Sequence, residues 1–235
     1  MTHPQSRVEP LDGLADATGR LVRTVDSLTD EALAAPSVLP GWSRGHVVAH
    51  LALNAEAFIG VLRGVTAGDD VPMYRSEEAR NDDIEGLAGG PAAQLRERFL
   101  ASTTHFQEAV VAVPEGGWAG ELRRLPSGGQ VFQRIGLPGM RHREVEIHHA
   151  DLDAGYGPGS WPPEFLDGIL VRLVDDRSGG PPMLLRTPEG EVPVGTGEGP
   201  VVSGSRVDVT WWLLGRGDGE GLHGEPHLPE LGAWR

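Results

Sequence analysis

The chain has 235 residues, 39% of them hydrophobic, which suffices for one large domain or two modest ones, and two is the better starting division. Its 34 Asp and Glu against 20 Lys and Arg give a formal net charge of −14, a field that repels polyphosphates and anionic lipid and so disfavours nucleic acid and membrane surfaces as partners. The absence of cysteine removes disulfides, cysteine metal knuckles and a cysteine nucleophile, so any thiol chemistry needs a borrowed thiol and any metal must be held by His, Asp or Glu.

The amino-terminal stretch MTHPQSRVEPLDGLADATGR is polar, unlike a secretion leader. No run approaches the roughly 20 apolar residues that a bilayer crossing needs, and a cytoplasmic protein is expected. Leu11, Leu14, Leu21, Val25 and Leu28 recur on one helical stripe and predict a first helix. Pro40 and Gly41 then break the chain, and Ser43 is placed to cap a second helix running to Arg63, where Gly64 can end it. Val47, Leu51, Ala55, Phe58 and Leu62 form its core-facing stripe. The acidic, aperiodic stretch from Ala67 to Pro91 reads as a long connection.

A third helix is predicted over Ala92 to Val113, with Leu95, Phe99, Phe106, Val110 and Val113 on its apolar side. A Gly-rich passage separates it from a last long helix over Gln133 to Asp153, which Pro138 and Gly139 should kink or delay until Met140. Four helices with one long crossover suggest a four-helix bundle over residues 1–157. Beyond it PEFLDGILVRLV reads as a helix, MLLRTPEGEVPVG as a hairpin with a Glu-Gly turn, PVVSGS as a strand and RVDVTWWLLGR as a closing helix. These make residues 158–235 a small α+β domain, with Trp211 and Trp212 in its packing. The fold class is mainly α with α+β.

The chemistry concentrates in two segments. In RHREVEIHHADLDAG, Glu144 and His148 stand four residues apart, on one helical face and close enough to chelate one ion. Taken alone the pair fits a solvated charge pair better. In GHVVAHLALNAEAF, His50 lies beside the apolar stripe and points into the bundle, where an unpartnered imidazole is costly. A satisfied core histidine is the plainer reading of that helix by itself, with His46 a boundary residue. Bundle sites are built from inward residues on facing helices, and His50, Glu144 and His148 together make a two-histidine, one-carboxylate set. Three protein ligands leave one position open, the arrangement of catalytic zinc, and the same set also serves ferrous iron.

LPGWSRGHVVAHLALNAEAF, PMYRSEEARNDDIEG, RHREVEIHHADLDAG and VVSGSRVDVTWWLLGRG together resemble the mycothiol-dependent maleylpyruvate isomerases of the DinB-like metalloenzyme superfamily. The resemblance implies a DinB-like four-helix bundle followed by a small α+β domain. It also implies a divalent metal, zinc by preference, on His50, Glu144 and His148, and mycothiol as the thiol cofactor. Substrate-side arginines fall on Arg80 and Arg216, although Arg80 among acids fits a solvated role and Arg216 a helix-end role equally well. The implied reaction adds the cofactor's sulfur to the cis double bond of maleylpyruvate, lets the bond rotate, and eliminates to fumarylpyruvate, a step of aromatic catabolism by the gentisate pathway. Asn54, one turn beyond His50, is placed to orient a ligand or touch the cofactor, and Asp151 to support His148, while a capping or surface role fits both equally. Trp42 and Tyr74 flank the same region. The expected partners are a small dicarboxylate and a low-molecular-weight thiol, bound by a monomer. A mycothiol S-transferase and a non-catalytic metal-binding module stand as alternatives.

Overall fold

The structure is a computed structural model and describes residues 11–225, 227–231 and 234. It divides into two compact units, Met1–Ala154 and Gly155–Arg235.

The first unit is the helical bundle. Helix α1 (Leu11–Ser27) buries Leu14, Ala17, Leu21 and Val25, and a short α2 (Asp30–Ala34) follows, capped by Thr29. Helix α3 (Arg44–Ala67) starts where expected: Ser43 accepts from the His46 amide while His46 accepts from the Ser43 amide, so two orphan amide donors are satisfied reciprocally. It does not end at Gly64. The helix continues a turn further and closes at Gly68, whose positive φ of 84° fits the left-handed cap. Gly64 instead makes room for the returning chain, because a Cβ there would lie 2.7 Å from Val71 Cγ2. Nor does α3 bury a single stripe. Nearly its whole circumference is enclosed, from Val47 and Val48 round to Ala55 and Phe58, which makes it the central helix. By length and apolar composition α3 is long enough to cross a membrane, contrary to the expectation from sequence, and 78% of its most apolar window is buried in the bundle.

The stretch from Ala67 to Pro91 is not an unstructured connection, for it contains α4 (Glu77–Ala88). The Ser76 side chain accepts from the Ala79 amide, Glu77 and Glu78 complement the helix N-terminus, and Ile84 and Leu87 anchor α4 against the bundle. Helix α5 (Ala92–Ala112) packs most extensively against α3, with Phe58 and Phe106 edge to face at 6.3 Å. The Gly-rich passage after it holds a short antiparallel hairpin, β1 (Glu121–Arg123) and β2 (Val131–Gln133). Its end receives the amides of Met73 and Tyr74, tying the approach to α4 down beside it. Helix α6 (Leu137–Asp151) then begins three residues before Met140 and runs without a break. Pro138 sits in its first turn, where a missing N–H leaves nothing unsatisfied. Helices α1, α3, α5 and α6 form the four-helix bundle, with α4 laid against α3.

The second unit opens with α7 (Pro163–Asp176) and carries a four-stranded sheet of β3 (Met183–Thr187), β4 (Gly190–Val194), β5 (Val201–Ser203) and β6 (His223–Glu225) in the order β4-β3-β5-β6. The β3–β4 hairpin turns through Pro188 and Glu189, with Thr187 paired to Gly190, so its loop lies one residue before the expected Glu-Gly turn. Strand β5 runs parallel to β3, and β6, which no sequence pattern announced, closes the other edge antiparallel to β5. Helix α8 (Arg206–Leu213) is capped by Ser205. Trp161 packs against Phe165 and Trp211 at 5.4 and 5.8 Å, and Trp212 is buried.

Replacing Phe58, fully buried at the α3–α5 seam, with Ala should lower the unfolding free energy by ~3–5 kcal/mol in urea denaturation followed by circular dichroism.

Candidate metal centre

His50 projects from α3 and Glu144 and His148 from one face of α6, and the three meet although the two segments lie 94 and 98 residues apart. His50 Nε2 stands 2.9 Å from Glu144 Oε2 and 3.2 Å from His148 Nε2, and the third edge of the triangle, His148 Nε2 to Glu144 Oε2, is 3.4 Å. A tetrahedral zinc with bonds of about 2.0–2.1 Å holds its ligand atoms about 3.3 Å apart, so two edges of the donor triangle are close to the spacing such an ion imposes and the 2.9 Å His50–Glu144 edge would open slightly to admit it. The three residues form a group that could hold a metal ion, with His50 buried and the other two half-buried. Trp42 lies edge-on to the His50 ring at 5.8 Å and closes one side.

The surrounding hydrogen bonds define proton positions. His148 Nδ1 lies 2.8 Å from Asp151 Oδ2, and Asp151 is fully buried, so a ring proton on Nδ1 is fixed there and Nε2 faces the triangle. On the other ring Arg80 Nη2 reaches His50 Nδ1 at 3.1 Å. A guanidinium can only donate, so Nδ1 accepts and the ring proton of neutral His50 sits on Nε2, donated to Glu144. Burial holds His50 down to about pKa 4, aided by the positive neighbours His148 and Arg80, against the opposing pull of Glu144. Burial also acts against a charge on His148, but its bonds to Asp151 and Glu144 prevail and raise it to about 9. Burial would push Glu144 up, and its bonds to the two histidines instead hold it well below the ordinary carboxylate range.

A consequence follows for any metal that enters. Both Nε2 atoms must offer lone pairs, so His148 loses its Nε2 proton and the proton of His50 moves to Nδ1. Nδ1 would then turn from acceptor to donor and could no longer take the Arg80 N–H, leaving Arg80 Nη2 available to an anion.

Arg80, on α4, is therefore at the site. It lies 5.6 Å from the Tyr74 ring and also donates to Asn81. The neighbouring Asn54 is 2% exposed, and its Oδ1 accepts from Arg141 Nη1 at 2.8 Å. Arg216 belongs to the second unit, just beyond α8, where it donates to the Leu214 carbonyl at 3.0 Å. His46 serves the α3 cap and contacts Glu85 at 3.2 Å. His149 is buried on the side of α6 that meets α1, 2.8 Å from the Thr24 hydroxyl. The sequence reading missed Arg124, whose guanidinium sits 5.1 Å from the Tyr74 ring and is gripped by both Glu77 oxygens. It also missed Arg141. Neither is marked by spacing, and only the hairpin and the α6–α3 contact bring them in. Tyr74 itself titrates above the ordinary tyrosine value, through burial first and the Glu144 charge second.

A four-helix bundle with a two-histidine, one-carboxylate triangle on facing helices, followed by a small α+β unit, defines a helical-bundle protein with a candidate metal site. Residues 14–153 match the mycothiol maleylpyruvate isomerase N-terminal domain, and the chain belongs to that family. Among solved structures, the crystal structure of a mycothiol-dependent maleylpyruvate isomerase matches with a TM-score of 0.86 at 27% identity, over 95% of each chain. That of a mycothiol-dependent maleylpyruvate isomerase variant with a histidine changed to alanine matches with a TM-score of 0.85 at 26% identity, also over 95% of each chain. No curated protein sequence matches.

Because His148 holds a proton up to about pH 9, zinc should displace one proton per ion at pH 7, and its affinity should rise about tenfold per pH unit between pH 7 and 9. Calorimetry in buffers of different ionisation enthalpy reads both quantities. Asp151→Asn, which removes the charge behind His148, should weaken zinc binding ~10- to 100-fold.

Proposed function

We propose that this chain is a metal- and mycothiol-dependent cis–trans isomerase that converts maleylpyruvate, or a related acylpyruvate, into fumarylpyruvate. The reading is carried by one observation: three donor atoms converge close to zinc spacing in a fold that follows a mycothiol-dependent maleylpyruvate isomerase over 95% of its length. His50, Glu144 and His148 hold the metal, zinc by the chemistry of the donors. When bound, a metal with three protein ligands supplies an open position at which the thiol of mycothiol is kept deprotonated, a role the chain cannot fill itself because it has no cysteine.

The remaining work falls to the protein's own side chains. The substrate is a dianion, and isomerisation requires its cis double bond to become single, rotate and re-form while negative charge develops on the conjugated ketone. Arg80, released from His50 when the histidine changes its ring proton, presents a planar fork to a substrate carboxylate. The second substrate-side cation is assigned to Arg216 on the resemblance of its LLGRGD segment to the family alone. Asn54 stays fixed by Arg141 one turn from His50 and orients the thiol cofactor. Tyr74, flanked by Arg80 and Arg124, forms an aromatic wall beside the two arginines. The protein works as a cytoplasmic monomer in aromatic-ring catabolism of the gentisate type.

Incubation of the purified protein with mycothiol and maleylpyruvate tests the reading. Fumarylpyruvate should form with mycothiol and not with glutathione, and His50→Ala should lose the activity together with the bound metal. A stable sulfur conjugate in place of fumarylpyruvate would identify an S-transferase, and a wild-type protein without divalent metal or turnover would leave a structural module. Arg80→Gln should retain its metal and lower kcat/KM ~10- to 100-fold, as expected for removing a charge-assisted bond to a substrate carboxylate.

A further inference from the structure

Arg141 is buried to 2% exposure near the centre of the first unit, where a cation has lost its hydration. Burial lowers it to about pKa 10, and it remains charged at neutral pH. Nη1 alone is engaged, donating to the Leu51 carbonyl at 2.9 Å and to Asn54 Oδ1 at 2.8 Å. The Phe106 ring covers the guanidinium at 5.9 Å. Among the described residues no carboxylate pairs with it, and its Nε and Nη2 have no hydrogen-bond partner. Those two atoms form the edge of a guanidinium that grips a carboxylate side-on through two parallel bonds.

The same side chain lines a cavity of about 310 Å³ between α1 and α5. Its walls are largely apolar, with Leu14 on α1 and Phe106, Val110 and Val111 on α5, and Thr18, Thr103 and Gln107 the uncharged polar groups. Val111 is 83% exposed, an apolar rim rather than a buried wall. No other Lys or Arg lines the cavity, so it has one positive edge to offer.

The geometry points to a binding site, built apart from the histidine triangle, for a small apolar monocarboxylate: its tail fills the α1–α5 cavity and its carboxylate lies on the Nε–Nη2 edge of Arg141. A single cationic edge matches one negative charge and leaves a dianion half uncompensated. The volume is at the lower end of small-molecule pockets and suits a ligand of roughly ten heavy atoms. Such an occupant would complete the hydrogen bonding of a buried cation that the protein itself satisfies on one nitrogen only.

Octanoate is the probe, titrated into the full-length metal-loaded protein by calorimetry or ligand-observed NMR. Saturable binding is expected, at least tenfold tighter than that of octanamide, which keeps the tail and lacks the charge. Ala15→Trp plugs the exposed rim of the cavity and leaves the three metal-ligand residues untouched, and it should weaken octanoate at least tenfold with zinc content unchanged. Retention of octanoate binding in Ala15→Trp would place the ligand elsewhere, on the metal for instance, and would overturn the proposal. So would equal affinity for octanamide, or no saturable binding by the wild type. Arg141→Met, if circular dichroism shows it folded, should bind octanoate no better than octanamide. A folded Arg141→Met that still prefers the carboxylate would count against the site as well.

Discussion

The register between α3 and α6 is the constraint on which the rest of this structure depends. Three donor atoms from two helices must meet within 3.4 Å, and a slip of one residue in either helix would turn a ligand out of the triangle. Arg141, one turn before Glu144, fastens α6 to the Leu51 carbonyl and the Asn54 side chain of α3. At the other end of α6 the Asp151 carbonyl takes the Val38 amide while its carboxylate holds His148. The opposite face of α6 is fixed to α1 by the Arg20–Glu146 ion pair, with Glu146 fully buried, and by the Thr24–His149 contact. Apolar packing sets how closely the helices approach, and these directional bonds set where along their axes they stop.

That arrangement also explains why two imidazoles in one triangle behave oppositely toward protons. His50 is enclosed by apolar neighbours with a guanidinium on its outer nitrogen, so it stays neutral, whereas His148 has a carboxylate on each side and stays charged. One carboxylate thus faces one neutral and one cationic ring, which satisfies the polar atoms of the triangle and stores the proton that an entering cation must displace. Asp151 matters as much as the triangle itself, because a carboxylate behind a histidine fixes which nitrogen carries the hydrogen.

The sequence disclosed the parts of this fold that repeat with a helical period and end at chemically marked residues. Leu95 to Val113 and the Ser43 cap are such parts, and the four bundle helices overlap the spans the pattern predicts, although α3 runs on to Ala67 and α6 starts at Leu137. It disclosed less where tertiary contact decides. Helix α4 has only Ile84 and Leu87 to mark an apolar face, so its acids hid it, although Ser76 followed by two glutamates was a usable start signal. Strand β6, with the sequence His-Gly-Glu, has no strand propensity to detect and exists because β5 offers it an edge. Pro138 misled because proline breaks a helix interior and favours a helix start, and the adjoining sequence did not say which applied. The meeting of His50, Glu144 and His148 was legible because Glu144 and His148 share a face and His50 interrupts an apolar helix. Arg124 and Arg141 were not, since an arginine's partner is set by the approach of another element.

The charge of the chain makes sense at two ranges. A net −14 spread over the surface is screened beyond about 8 Å at physiological salt, so it discourages extended polyanions without setting the potential inside a pocket. Close in, guanidiniums dominate: Arg80 and Arg124 lie within 5.6 Å of one phenol ring, and Arg141 is buried one turn from Glu144. All 20 basic residues of the chain are arginines. An ammonium buried as deeply as Arg141 would give up its proton readily, while the delocalised guanidinium keeps its charge through a comparable loss of hydration. Arginine also divides its donors, so that Arg141 can hold α3 with one nitrogen and still present a bidentate edge, which a lysine with one nitrogen has no means to do.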